Sequence, residues 1–372
     1  MPIKRKINRP VVAIYIHIPF CHHICDYCDF PKLQYFRIFA EKYLSSLKRE
    51  MESYNIPNTI KIIYVGGGTP TALEDDLLLE LLRIIKPYTE QVEEYTFEAN
   101  PESLSLEKLQ LMKEYGVNRI SLGVQTTDDE VLKNINRKHS YKDVQTAIYN
   151  ARKVGFDNLN ADLIIGLPGV SKAQFEKDLD NLVTLGVDHI SCYSLTVHPN
   201  TMFFIKGIDE PKEELAREYY DYAEKFLKGK GFVHYEISNW AKPGKESKHN
   251  LTYWKDEHYY GFGMGAAGYI EDKRYTNTKS ITDYNKGKYI AEEEFVLRED
   301  DKLYYLMLNL RTNRGIEFTD YIYRFGGDFL KEHQDTISRL VNQGLLVLTN
   351  ERVYPTYEGM MVLDQLIMEL SD

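Results

Sequence analysis

The first half of the chain alternates short apolar runs, rich in β-branched residues, with longer segments in which apolar residues recur at helical spacing. This alternation is typical of parallel strands that are joined by crossover helices. Six β/α units rather than eight predict a partial (β/α)6 barrel of the TIM type, with binding groups at the carboxyl ends of its strands. The predicted strands are VVAIYIHIP from Val11, IKIIYVGG from Ile60, EYTFEANP from Glu94, RISLGVQ from Arg119, NLNADLIIG from Asn158 and HISCYSL from His189. The predicted helices cover 39–54, 74–86, 104–115, 141–154 and 171–185.

Polar and glycine residues fall at the carboxyl end of almost every predicted strand. A cysteine-rich loop follows the first strand, and a glycine-rich turn over 66–69 follows the second. Glu98, Gln125 and Asp162 lie at or near the ends of later strands. Because the carboxyl ends of parallel strands meet at one mouth of a barrel, these residues are expected to form a shared site.

The pattern changes after the sixth strand and again near residue 296, so three domains are predicted. The middle segment is rich in Tyr, Gly and Trp, shows no clear period and is expected to form an extension that covers a substrate. In the last segment, helical patterns precede LLVLTNERVYPT, two strand-like runs around a turn. Helices followed by a hairpin predict a mostly helical, winged-helix-like C-terminal domain. The predicted domains are 1–205, 206–295 and 296–372.

Charge argues against nucleic acid as a partner. The net charge of −10 and the pI of about 5.6 lack the basic footprint that phosphate backbones demand. The candidate recognition segment, 335–344, has one Arg and no Lys, so the C-terminal domain is expected to pack or to dock a partner. No long apolar run predicts a transmembrane segment, and no signal peptide follows the basic N-terminus. A cytoplasmic location is expected.

Three of the four cysteines lie within eight residues, in the spacing Cys21-x3-Cys25-x2-Cys28. Three thiolates on one loop can hold a [4Fe–4S] cluster with one iron left open, whereas a structural zinc site needs four protein ligands. Zinc would require a neighbouring His or Asp, and adjacent residues of a tight loop seldom converge on one metal. The spacing therefore favours the cluster, with zinc as the alternative. Cys192 lies in an apolar strand-like run and is expected to be a buried hydrophobic residue.

The cysteine spacing, an aromatic residue before the last cysteine (Tyr27) and six β/α units together resemble the radical SAM superfamily. The resemblance spans nearly the whole chain and extends to the coproporphyrinogen III oxidase-like branch. It implies that a reduced cluster gives an electron to S-adenosylmethionine (SAM), which cleaves to methionine and a 5′-deoxyadenosyl radical. The motifs that carry it are YIHIPFC, CDYCDF, VGGGTPT, FEANPE, RISLGVQ and ADLIIGLPG.

The resemblance also implies which residues touch the cluster and SAM. Tyr15 and Tyr27 would flank both groups. The backbone of Gly67, Gly68 and Thr69 would meet the methionine amine, because glycine allows the backbone to approach closely. The remaining matched side chains, which can bind a carboxylate or accept from ribose hydroxyls, are Glu98, Gln125, Arg137 and Asp162.

The segment His249-Asn250-x2-Tyr253-Trp254 resembles the haem chaperone members of the same branch. His249 and Tyr253 would share a helical face, and an imidazole beside aromatic rings can ligate haem iron. The alternative is an aromatic core segment with a hydrogen-bonded His.

A departure from the branch pattern supports the haem chaperone. The resemblance implies a fourth cysteine two positions after the third in the true oxidases, and this chain has Phe30 there. The sequence therefore favours a haem chaperone, which would bind haem and pass it to an apoprotein. An oxygen-independent oxidase of coproporphyrinogen III is the alternative.

Residues 263–268, GMGAAG, match the dinucleotide fingerprint G-x-G-x-x-G. The fingerprint requires a preceding strand within a βαβ unit, and WKDEHYYGF does not predict a strand. A nicotinamide site is therefore not expected. Close approach of the backbone to a ligand or to packed structure is the preferred interpretation.

Overall fold

The computed structural model describes residues 9–371, with the backbone alone for residues 298 and 299. All six predicted strands are present and pair in parallel in chain order, which confirms the partial barrel. Two short strands of the cysteine loop pair with each other. The strands of this part are β1 (Val11–Ile18), β2 (Phe20–Cys21), β3 (Leu33–Gln34), β4 (Ile62–Gly67), β5 (Glu94–Ala99), β6 (Arg119–Gln125), β7 (Leu159–Ile165) and β8 (His189–Ser194).

Helices connect the barrel strands, and all five predicted helices are present. Local sequence signals set their ends: Ser140 and Asp143 form a reciprocal capping box, and Gly155 ends the same helix in the left-handed conformation. One short helix, α4, had not been predicted. The helices are α1 (Arg37–Glu52), α2 (Asp75–Ile85), α3 (Leu106–Glu114), α4 (Asp129–Asn134), α5 (Tyr141–Val154) and α6 (Lys172–Thr184).

The barrel strands are largely buried and combine apolar residues with buried polar ones such as Thr96, Arg119 and Asn160. Ile16, Ile63, Phe97 and Leu163 are fully buried and belong to one continuous core with the helices. Parallel strands that are covered on both sides of the sheet are typically rich in apolar residues.

The middle segment extends the barrel sheet at both edges. Strand β11 pairs in parallel with β1 and continues into the antiparallel β12, β13 and β14, while β10 and β9 follow β8 at the other edge. Sequence analysis identified no elements here, although Tyr219, Ala223 and Leu227 line one buried face of a long helix. The elements are α7 (Met202–Ile205), α8 (Glu213–Gly229), β9 (Val233–Glu236), β10 (Asn239–Ala241), α9 (Lys248–Trp254), β11 (His258–Phe262), β12 (Ala267–Ile270), β13 (Lys273–Asn277), α10 (Ile281–Asn285) and β14 (Ile290–Phe295).

The prediction that no strand precedes the G-x-G-x-x-G match is wrong, because β11 runs directly into Gly263. The sequence of β11, HYYGF, contains two tyrosines and a histidine and so lacks the apolar run that predicts a strand. The turn leads into the antiparallel strand β12 rather than a helix, so no helix N-terminus is available for a pyrophosphate. Gly263 has a φ of 100°, and a Cβ there would lie 2.5 Å from the Tyr43 hydroxyl. Its backbone therefore approaches packed structure.

The C-terminal segment has its own hydrophobic core and combines helices with a three-stranded sheet in the order β15-β17-β16. The predicted hairpin is the antiparallel pair β16 and β17. Within residues 9–371, no helix combines the length and apolar character needed to cross a membrane. The elements are α11 (Arg298–Asn309), β15 (Ile316–Glu317), α12 (Phe318–Phe325), α13 (Phe329–Glu332), α14 (Gln334–Asn342), β16 (Leu346–Leu348), β17 (Arg352–Pro355), α15 (Tyr357–Met361) and α16 (Leu363–Ser371).

Candidate functional site

A cavity of about 350 Å³ lies at the carboxyl ends of the barrel strands. It is lined by all of the predicted site residues except Tyr15 and His249. The shared mouth that the strand ends predict is therefore present. The predicted residues in the lining are Cys21, Cys25, Tyr27, Cys28, Gly67, Gly68, Thr69, Glu98, Gln125, Arg137 and Asp162.

The cysteine loop is fixed by backbone hydrogen bonds at one side of the cavity. Asp26 N donates to Ile135 O at 3.2 Å, and Cys28 N donates to Cys25 O at 3.3 Å. Burial raises the pKa of the Cys21 thiol to about 11 and also raises the pKa of Cys28. Without a metal these two thiols are therefore protonated at neutral pH, and a bound metal would displace their protons.

The three thiols offer the kind of donor set that a four-iron cluster uses. In the described part of the chain, no three His, Cys, Asp or Glu side chains are close enough together to hold one metal ion. In a four-iron cluster each thiolate binds a different iron. The thiolates therefore stand further apart than the ligands of a single tetrahedral zinc, whose Zn–S bonds are about 2.3 Å long. Arg137 lies 3.6 Å from the Cys25 sulfur and places a positive charge beside the thiols.

The glycine-rich turn after β4 brings its backbone to the cavity wall. Gly67 has a φ of 109°, and a Cβ on it would lie 2.5 Å from the ring of His17. The N–H groups of Gly67, Gly68 and Thr69 already donate to Glu98, Ile18 O and Phe20 O, respectively. A bound amine would donate hydrogen bonds. Within this turn it could therefore use the backbone carbonyl groups as acceptors.

Two half-buried carboxyl groups, Glu98 and Asp162, form the acidic part of the cavity. Glu98 accepts from the Tyr64 hydroxyl at 2.6 Å and from Gly67 N at 3.0 Å, and burial raises its pKa to about 7. Asp162 accepts from Asn160 at 2.8 Å, and burial raises its pKa as well. Each carboxyl keeps polar partners at a low-dielectric position, where it could accept from a bound hydroxyl or amine.

Arg137 and Gln125 complete the polar lining. Arg137 donates to Asn100 Oδ1 at 3.0 Å and to Gly123 O, while its Nε has no partner among the described residues. Gln125 ends β6 with a φ of 68°, which is unusual for a residue other than glycine. Such backbone positions cluster at functional sites.

Comparison with known proteins identifies the family of this chain. The radical SAM superfamily model matches residues 15–182, and the HemN C-terminal domain model matches residues 300–362. The heme chaperone HemW of Bacillus subtilis is 39% identical over 364 residues, which cover 93% of this chain and 96% of that protein. The HemW of Lactococcus lactis is 37% identical, covering 93% and 94%. The chain belongs to the HemW family of radical SAM proteins.

Family membership confirms the resemblance that the sequence motifs indicated. The coproporphyrinogen III oxidase HemN of Escherichia coli matches with a TM-score of 0.84 over 99% of this chain and 91% of its own, at 23% identity. That match supports the predicted fold, which is a radical SAM core followed by a mostly helical C-terminal domain.

The HemW-type segment around His249 does not reach the cavity. Helix α9 begins at the amino end of β5, where the Glu94 carboxylate accepts from the backbone N–H groups of Lys248 and His249, each at 3.0 Å. The His249 ring stacks on Tyr64 at 4.2 Å and is 3% exposed. Burial and the charge of Arg119 lower its pKa to about 3. His249 is thus a neutral residue of the aromatic barrel interior, and its role as a haem ligand stays a prediction.

Tyr15 lies beside His249 in the barrel interior, behind the cavity lining. Its ring stacks on His249 at 5.9 Å, and its hydroxyl lies 2.9 Å from His17 Nδ1. Tyr15 therefore contacts the polar interior below the cavity, and a role beside the cluster or SAM stays a prediction.

Sequence analysis missed several residues that line the cavity. Asn100 and Ser121 lie within the recognised motifs, close to residues that were chosen, so the motifs contained a usable signal. Tyr193 is the last residue but one of β8, and His198 follows the strand in a loop without periodicity. Nothing in the local sequence of His198 indicated its position.

Proposed function

We propose that this chain is a haem chaperone built on a radical SAM core. In this proposal Cys21, Cys25 and Cys28 hold a [4Fe–4S] cluster, SAM occupies the cavity beside it, and haem is bound and passed to an apoprotein. The observation that supports the radical SAM part is the convergence of three thiols, a glycine-rich turn and two half-buried carboxyl groups on one cavity. The chaperone part rests on similarity to proteins named heme chaperone HemW over 93% of the chain.

When bound, the cluster would supply the electron that cleaves SAM. The chain's residues would bind and orient SAM. Carbonyl groups of the 67–69 turn accept from the methionine amine, and Arg137 exchanges its present partners for the methionine carboxylate. Gln125 and Asp162 accept from ribose hydroxyls, and Tyr27 covers the cluster side of the cavity. A cytoplasmic location, expected from the sequence, is part of the same proposal.

Haem binding is tested by titrating hemin into the full-length protein and following the Soret band. The proposal predicts one saturable site per chain. It also predicts that the loaded protein gives up its haem to apomyoglobin, used as a probe acceptor. A Soret signal that keeps rising with added hemin and never saturates, as non-specific binding to an apolar surface gives, would contradict the proposal.

The oxidase alternative is tested by an anaerobic assay. The reconstituted protein is mixed with reductant, SAM and coproporphyrinogen III, and both 5′-deoxyadenosine and decarboxylated porphyrinogen are measured. The chaperone predicts unchanged porphyrinogen, whether or not deoxyadenosine forms. Stoichiometric formation of both products would make the protein an oxidase.

A further inference from the structure

The segment 198–206 lies against the cysteine loop at the mouth of the cavity. His198 Nε2 is 3.3 Å from Asp29 Oδ2, and Phe203 N donates to Asp26 O at 3.0 Å. Lys206 forms an ion pair with the carboxylate of Asp26. The cysteine loop and this segment therefore form one continuous rim, which we call the mouth rim.

The mouth rim exposes large apolar side chains beside a polar cavity. Phe30 lines the cavity and is 61% exposed. On the adjacent helix α7, Met202, Phe204 and Ile205 are also exposed, the last of them by 70%. Clustered exposure of large apolar residues marks a surface that binds something. A planar, largely apolar ligand fits the chemistry of this rim.

His198 adds a metal-binding group to that surface. It lines the cavity, and 45% of its side chain is exposed. Its Nε2 lies 3.3 Å from the Asp29 carboxylate, and no group of the described structure is hydrogen-bonded to Nδ1, which carries a lone pair when the ring proton is on Nε2. A carboxylate that fixes the tautomer and orientation of an imidazole is the usual support of a metal-ligating histidine.

The other rim histidines lack this support. His22 and His23 are exposed on the cysteine loop, and within residues 9–371 neither ring contacts a carboxylate. His249 is enclosed in the barrel interior, so its ring reaches a haem only if α9 moves. Among the rim histidines of the described structure, His198 is therefore the one with a carboxylate beside its ring.

We propose that ferric haem docks on the mouth rim with its iron bound to Nδ1 of His198. The iron–nitrogen bond forms in place of a water or hydroxide ligand of hemin, with no change in oxidation state. Asp29 is a positioning residue, and Phe30 and α7 cover the porphyrin. This inference rests on the proposed function and specifies where haem first binds.

The test is a hemin titration of the full-length, cluster-reconstituted protein by Soret absorbance, together with electron paramagnetic resonance of the ferric iron. We expect His198→Ala to weaken hemin binding about tenfold or more and to change the iron spectrum. Added imidazole should restore the wild-type spectrum. The matched control is His333→Ala, which removes an imidazole of the C-terminal segment outside the mouth rim and should change the affinity by less than about twofold. Unchanged iron and sulfide content shows that the rim is intact.

The outcomes separate this inference from the proposed function. Wild-type affinity in His198→Ala, or a loss confined to His23→Ala or His249→Ala, would overturn the assignment of His198 while leaving the haem chaperone in place. Absence of saturable hemin binding in the wild-type protein would instead remove the proposed function itself.

Discussion

Glu98 is a carboxylic acid whose surroundings favour the neutral form. Burial raises its pKa from 4.5 to about 7, against the stabilising hydrogen bonds from Tyr64 and Gly67. Between these two values the folded protein holds a proton that the unfolded chain releases. The contribution of Glu98 to stability therefore falls as the pH rises through this window.

A comparison of wild type with Glu98→Gln isolates this effect, because Gln keeps the shape of the side chain and does not titrate. We expect the difference in free energy of unfolding, wild type minus variant, to fall by on the order of 3 kcal/mol between about pH 4.5 and pH 7. Urea unfolding across this range measures it. A difference that does not change with pH would show that burial does not perturb this carboxyl.

At position 67 the backbone imposes two requirements that only glycine satisfies. Its φ is 109°, and a Cβ would lie 2.5 Å from the ring of His17. We expect Gly67→Ala to lower the free energy of unfolding by about 1–3 kcal/mol more than Gly155→Ala. Gly155 is a matched control because its φ is also positive, at 94°, and nothing lies within 4 Å of its missing Cβ. Equal losses in urea unfolding would contradict the close approach at Gly67.

At the scale of elements, the start of α9 is held by the Ser247 side-chain cap and by the Glu94 carboxylate. Both oxygens of Glu94 accept from the first backbone N–H groups of the helix, while the neighbouring Glu93 makes exposed ion pairs with Lys248 and Lys61. We expect Glu94→Ala to speed hydrogen exchange in α9 and to cost about 1–3 kcal/mol of stability. Glu93→Ala should cost at most about 1 kcal/mol. Similar exchange rates in the two variants would show that Glu94 does not anchor the helix.

The predictability of the elements follows from their burial. The barrel strands were found because runs such as that of β4 are buried on both faces and bounded by glycine. The later strands were missed because they are short and rich in tyrosine, and because their pairing partners lie far away in sequence, as in β11 beside β1. Tertiary pairing, rather than local propensity, makes these segments strands.

Across the whole molecule, the site was predictable where chain order and spatial order agree. Residues at the carboxyl ends of successive strands meet at the mouth, so the cysteines, the 66–69 turn, Glu98 and Asp162 could be chosen from sequence. The position of His249 inside the barrel could not be predicted from the sequence. The spacing correctly indicated a helical face shared with Tyr253, but only the path of the chain places that face inside the barrel.

The central claim is that three cysteines of one loop hold an iron–sulfur cluster. The most direct test is the iron and acid-labile sulfide content of the anaerobically reconstituted protein, in wild type, Cys25→Ala and Cys192→Ala. Cys192 is the matched control, since it is fully buried in β8 and does not line the cavity. We predict that Cys25→Ala loses the cluster and its absorbance and that Cys192→Ala retains both. Full iron and sulfide content in Cys25→Ala would contradict the account.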